Sequence, residues 1–321
     1  MQLPRWLVTI FLTGLTVLAA GATFSQNYPT KPIRIVTADA GGGLDFSARV
    51  LAQGLTRELG QRLIVDNRGG GSGSIAADTV AKAQPDGYTL LYWSSSFWFL
   101  PFLRDLPYDP LKDFTAVTLA LMSPDVVAVH PAVPVNTVKE LIALAKAKPG
   151  ELNYASSGAG SSTHLAAELF KIMAGLNIVH VPYKGGGPAI TALIGGQVQL
   201  MIQTAPAVTS HVKAGRLKAL AVTSAEPSRL VPGLPTMAST IPGFQSGLFT
   251  GFYAPARTPA TIIDLLQRKT AEALNIPEIK EKFFNAGSEV IGSTPQTALA
   301  TMKAEMARMG KVIKDANIRA D

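Results

Sequence analysis

The sequence predicts an α/β fold in which helices cover parallel strands. Short apolar runs alternate with segments of helical spacing, and Gly- or Ser-rich turns join one to the other. With 47 % apolar and 16 % charged residues, a chain of 321 can bury a sizeable core. At roughly 150 residues per domain its length suggests two domains. Cys is absent, which excludes disulfide scaffolds, thiolate metal sites, Cys nucleophiles and lipidated bacterial N-termini. His130, His164, His180 and His211 form no metal-ligand pair at helical spacing, so neither a metal nor a cofactor is expected.

Residues 1–25 read as a signal peptide. Arg5 is the positive n-region, Trp6 to Ala20 is an uncharged apolar run, and cleavage is expected between Ala22 and Ser25. The run is about 15 residues long, short of the ~20 that span a bilayer. A soluble, periplasmic mature protein is therefore expected. The net charge of +7 includes Arg5 and is not gathered into a dense basic block with interleaved aromatics. Nucleic acid is a poor fit and a small anionic solute a better one.

The elements follow in order. Ile33–Val36 reads as a buried strand that enters Ala40-Gly41-Gly42-Gly43, and Leu44 to Leu59 has helical spacing with Gly60 as its stop. A strand over 62–66, a loop rich in Gly and Ser, a short helix over 75–83 and a strand over 88–93 continue the rhythm. Thr137-Val138-Lys139-Glu140 is a capping box that opens a helix to Lys148. A strand over 152–155 runs into Ser156-Ser157-Gly158-Ala159-Gly160-Ser161-Ser162, and a helix follows from Thr163 to Ala174, with Ser162 or Thr163 as its cap. The strand 177–183 leads to Lys184-Gly185-Gly186-Gly187, where Pro188 suits a first helical position. Strands over 198–202 and 217–223 flank a helix over 207–214. Residues 227–244 read as a crossing loop, 248–253 as a strand, and 259–274, 277–285 and 295–316 as helices.

Three strand-to-helix turns, at Gly41–Asp45, Ser156–Thr163 and Lys184–Gly187, place backbone N–H groups at the positive ends of helices. Anions bind there, because those N–H groups lack intrahelical partners and the dipole favours negative charge. The nucleotide fingerprints fail: the first turn lacks a third spaced Gly, and Lys184 precedes its glycines. No G-x-S-x-G elbow accompanies Ser161, Ser162 and His164. His164 suits a ligand donor or, equally, a helix-end hydrogen bond or solvent contact, and Asp45 suits a water-mediated ligand contact or the helix dipole. Among Trp93, Phe97, Trp98, Phe99 and Phe102, core packing is the plain reading. Phe97 and Trp98, just after Ser95 at a strand's carboxyl end, are also placed to wall a pocket.

Tyr28-Pro29-x-Lys31-Pro32-Ile33-Arg34, Gly41-Gly42-Gly43-x-Asp45, Asp66-Asn67-Arg68, Pro85-Asp86-Gly87-Tyr88-Thr89-Leu90, Leu152-Asn153-Tyr154-Ala155-Ser156, His180-Val181-Pro182-Tyr183-Lys184-Gly185 and Leu220-Ala221-Val222-Thr223 occur in this order. The chain thereby resembles the extracytoplasmic solute receptors of tripartite tricarboxylate transporters, the Bug receptors, over the whole mature length. The resemblance implies a type II periplasmic binding-protein fold: two α/β lobes around a ligand cleft, with crossings near 122–130 and 240–248. Lobe 1 would comprise 26–125 and 248–321, and lobe 2 residues 126–247. It implies no enzyme activity and no cofactor. A monomer would capture a small carboxylate and pass it to membrane permease subunits.

Carried over residue by residue, the resemblance implies ligand contacts at Gly41, Gly42, Gly43, Asp45, Ser95, Ser157, Gly158, Ser161, Ser162, Thr163 and His164. The chain departs from the family pattern at Thr37-Ala38-Asp39-Ala40, at Leu44, where a hydroxyl is usual and would face the cleft, and at Gln203, where a carboxylate that pairs with a ligand amine is usual. Gln203 argues against an amino-acid ligand, and Phe97 with Trp98 points to a flat or aromatic carboxylate. An exported hydrolase-like enzyme and a solute-sensing subunit are the alternatives.

Overall fold

The computed structural model describes residues 28–38, 40–69 and 73–319; the expected signal peptide and Asp39 lie outside them. The chain opens with β1 (Ile33–Thr37), α1 (Gly43–Leu59), β2 (Leu63–Asn67), α2 (Ser74–Ala81), β3 (Thr89–Ser94) and the single turn α3 (Ser96–Phe99). A long strand, β4 (Phe114–Val129), leads to α4 (Val138–Ala147), β5 (Asn153–Ser156), α5 (Ser162–Ala174), β6 (Val179–Pro182), α6 (Gly186–Ile194), β7 (Leu200–Thr204), α7 (Ala205–Lys213) and β8 (Lys218–Val222). The chain then returns through β9 (Gly247–Pro255) to α8 (Ala260–Leu274), α9 (Pro277–Asn285), β10 (Glu289–Val290) and α10 (Pro295–Asp315).

The strand order is β2-β1-β3-β9-β4-β7-β5-β6, with β8 and β10 also on β4. Strands β1 to β3 are parallel to one another, as are β5 to β7. β9 is antiparallel to both β3 and β4, and β7 is antiparallel to β4. The first parallel set therefore runs with β4 and the second against it. β4 pairs with β9 as far as Pro124–Gly247, then with β7 from Asp125–Thr204 onward. Hence the carboxyl ends of the two parallel sets point at each other across Pro124 and Asp125. That is the cleft of a two-lobed type II periplasmic binding fold, and carboxyl strand ends are where open α/β sheets take ligands.

β4 is the element that sequence periodicity does not find. Its residues are apolar on both faces because β4 is central in the sheet, and Pro124 in its middle looks like a breaker. The missing N–H of Pro124 falls where the strand changes partners, so the ladder loses little there. Close approach of β9 to β4 requires Gly251, since a Cβ at that position would lie 2.2 Å from the Thr118 carbonyl oxygen.

One core packs Ile33, Ile35, Leu51, Leu90, Phe252 and Phe283 under α1, α8 and α9. A second packs Val126, Ala155, Leu193, Met201 and Val208 behind β5 and β7. A third runs between the lobes through Trp98, Tyr253, Val127, Tyr154, Phe170 and Met302. Burial of each Val, Leu, Ile, Phe or Met side chain among these stabilises by about 1.5–3 kcal/mol. α10 packs against both β4 and α5 and so spans the junction. α6 begins at Gly186, two residues before Pro188, which is tolerated there because first-turn N–H groups need no intrahelical acceptor.

Candidate functional site

Among the described residues, five helices open at the facing edges without a side-chain cap: α1 after Gly42, α2 after Gly73, the single turn α3 after Ser95, α6 after Gly185 and α7 after Thr204. α5 is capped by Ser161, whose hydroxyl accepts from His164 N at 3.3 Å, one residue earlier than the expected Ser162 or Thr163. At the first turn Gly41 has φ +83°, a conformation open to Gly and costly to other residues. Its N–H donates to Asp45 Oδ2 at 2.9 Å. Asn67 Nδ2 donates to Asp45 Oδ1 at 2.8 Å, and Arg49 lies 2.9 Å from the same oxygen. Asp45, 5 % exposed, is thus committed to shaping the glycine turn. The Arg49 guanidinium, against the opposing effect of burial and with help from Gly41 and Asn67, holds its carboxyl down to about 2.

The second turn is knitted from within. Ser157 N donates to Thr163 Oγ1 at 2.9 Å, Gly158 N to Ser156 Oγ at 3.2 Å, Gly160 N to His164 Nδ1 at 3.0 Å and Ser161 N to the Gly158 carbonyl at 3.2 Å. Ser161 Oγ donates to the Gly158 carbonyl at 2.7 Å. Gln203 is 6 % exposed, and its Oε1 accepts from Thr204 N at 2.8 Å. A Cβ on Gly186 would lie 3.0 Å from Gln203 Nε2 and 3.6 Å from Ser157 Oγ, so these three residues share one spot. Ser95 and Ser162, from opposite lobes, line one small opening of about 20 Å³ with Asp125, Ser246 and Arg308. A separate recess of about 820 Å³ beside the end of α10 includes none of the expected residues.

Two expectations are corrected, and His164 makes the helix-end contact that is one of its open readings. Phe97 and Trp98 are 0 % exposed. Phe97 meets Tyr253 and Phe114 edge-on, with centroids 4.8 and 5.6 Å away, while Trp98 stacks on Phe249 and donates its indole N–H to the Tyr253 hydroxyl at 3.1 Å. They wall no pocket, because the turn after Ser95 folds them down onto β9. Leu44 packs against the core rather than standing in the cleft. His164, 6 % exposed, spends Nδ1 on the Gly160 N–H and so takes the helix-end reading; burial, with His180 next, pushes its pKa down to about 4.

Residues that sequence reasoning missed include Asn67, Gly186, His180, Asp125 and Ser246. Asn67 and Gly186 sit inside motifs already noted. The one legible signal for Asp125 is a lone acid within an apolar run. Among the described residues no group of His, Cys, Asp or Glu could hold a metal ion, and no helix is long and apolar enough to cross a membrane.

A family model described as the tripartite tricarboxylate transporter family receptor matches residues 47–318. Protein BugT of Bordetella pertussis is 37 % identical over 320 residues, 98 % of each chain. Among solved structures, Rpa4515 of R. palustris with adipate is 37 % identical at TM-score 0.76, covering 91 % of this chain and 99 % of that one. MatC from Rhodopseudomonas palustris with bound malate is 28 % identical at TM-score 0.72, covering 89 % and 100 %.

Proposed function

The chain belongs to the tripartite tricarboxylate transporter receptor family, whose members are solute-binding receptors and not enzymes; on that premise we propose that it captures a small aliphatic dicarboxylate in the periplasm and delivers it to membrane subunits of such a transporter. The signal peptide, cleaved between Ala22 and Ser25, exports it, and it acts as a monomer. Two lobes, 26–125 with 248–321 and 126–247, close on the solute. Closure is driven by contacts that only the closed state makes to both lobes.

The observation that carries this reading is the arrangement of uncapped helix starts at carboxyl strand ends that face each other across Pro124 and Asp125. One carboxylate is assigned to the first turn of α1 at Gly42, Gly43 and Leu44, with Asp45 shaping that turn. The other is assigned to the hydroxyls of Ser157 and Ser162, the first turn of α5 at Thr163 and the Gln203 amide, with Gly158, Ser161 and His164 holding the loop. Adipate and malate in the neighbours support a diacid. Gln203 offers no counter-charge to an ammonium, and leaving a charge buried and unpaired is costly.

Calorimetry with adipate, malate, glutamate and benzoate tests the proposal. Adipate or malate, which lack an ammonium, should bind at least tenfold tighter than glutamate or benzoate. Tightest binding by glutamate would overturn the solute class, and heats no greater than buffer for all four would overturn the carboxylate reading.

A further inference from the structure

His164 and His180 are stacked face to face beneath the serine–glycine loop, with centroids 3.8 Å apart and planes within 9°. The Tyr154 ring lies nearly parallel to both, with its centroid 4.9 Å from that of His180 and 6.3 Å from that of His164. Each ring ends on the loop. His164 Nδ1 accepts the Gly160 N–H at 3.0 Å, and His180 Nε2 lies 2.7 Å from Ser156 Oγ, the atom that accepts from Gly158 N. An Nδ1 that accepts a hydrogen bond carries no proton, so the neutral ring bears its proton on Nε2, 3.9 Å from Glu168 Oε1.

We infer that His164 is a positioning residue, a strut that holds the loop 156–161 in its solute-ready shape only while its ring is uncharged, with His180 as the stacked second support. The inference rests on the reading of that loop as a carboxylate site. Protonation of His164 at Nδ1 would set two N–H groups head to head and expel Gly160. A charge on either ring also disfavours one on its neighbour at this distance. The groups that face the pair are Glu168 and Lys171 from α5, joined at 2.7 Å, and Tyr154 from β5, whose hydroxyl donates to Glu168. Glu168 is therefore already paired twice and leaves the imidazole pair little net attraction for a proton. Burial, first of the causes, lowers the affinity of both rings for a proton. The loop should loosen as pH falls from about 6.5 towards 4, and solute should be released.

The test is amide hydrogen exchange over 157–164 in the ligand-free full chain, for wild type, His164→Phe and His164→Asn. Phe keeps the stack and loses the acceptor, whereas the Asn amide oxygen can take the place of Nδ1. Exchange at Gly160 should rise at least tenfold in the Phe variant and stay within about threefold of wild type in the Asn variant. Equal protection in wild type and the Phe variant, or no rescue by Asn, would overturn the strut. Wild type alone gives a second readout: side-chain nitrogen NMR should find His164 protonated only on Nε2 at pH 7 and still neutral at pH 5.5. A charged His164 at pH 5.5 under a protected loop would equally overturn it. Adipate and malate calorimetry on the same proteins separates the two claims. A loosened loop with undiminished diacid affinity keeps the strut and removes the loop from the solute site.

Discussion

Ser246 donates its hydroxyl to Asp125 Oδ2 at 3.0 Å, joining the two chain crossings side chain to side chain. Thr223 ties the pair further: its hydroxyl accepts from Asp125 N at 2.9 Å, and its backbone N–H donates to the Asp125 carbonyl at 2.9 Å. Ser246 N donates to the Thr223 carbonyl at 3.0 Å. The cluster sits where β4 changes partners from β9 to β7.

Burial pushes the Asp125 carboxyl up to about 7, opposed only by the Ser246 hydrogen bond. The folded chain therefore keeps a proton that the unfolded chain releases near 4, and the stability this group contributes is lost as pH rises through about 7. Asp125→Asn should leave the melting temperature nearly unchanged at pH 4 and raise it at pH 8.5, on the order of a few kcal/mol in stability. Thermal unfolding of both proteins across that range checks it, and parallel profiles would refute a buried titrating Asp125.

Gly42 caps α1 with φ −85° and ψ 173°, which any L residue adopts. Asp is a better helix cap than Gly by a few tenths of a kcal/mol, so Gly42→Asp should fold as well as wild type. Its carboxylate would stand where the solute's is assigned. Adipate and malate affinity should drop at least tenfold with no loss of melting temperature. Undiminished affinity would move the anion site away from α1.

Asp45→Asn loses the charge that Arg49, Gly41 and Asn67 share. Because Arg49 is half exposed, solvent screens much of the pair. Denaturation at pH 7 should read a loss of about 1–2 kcal/mol, chiefly the charged hydrogen bond to the Gly41 N–H. A carboxyl held down contributes stability above about 4 that is lost as pH falls through about 2. The gap between wild type and variant should narrow in that acid window and nowhere else.

Trp98→Ala should cost about 3–5 kcal/mol, since it empties a fully buried aromatic site. The milder Trp98→Phe should keep the fold. In the Phe variant the ratio of adipate to benzoate affinity should match wild type in calorimetry. A changed ratio would return Trp98 to the pocket.

The sequence by itself determined most local structure and the family. Gly60 and Gly175 stop α1 and α5 in the left-handed conformation that favours glycine, and the Thr137 box opens α4, because these signals act over a few residues. The glycine and serine turns were legible for the same reason. Only the tertiary structure decided what those turns face and what lies beneath them. Phe97 and Trp98 are buried by Tyr253, distant along the chain, and no local spacing records that. Likewise, β4 exists because β9 and β7 take it up on either side of Pro124, and His164 became a strut because β6 brings His180 beneath it. Burial and partner choice are properties of strands that meet across long sequence separations, where propensity and periodicity carry no information.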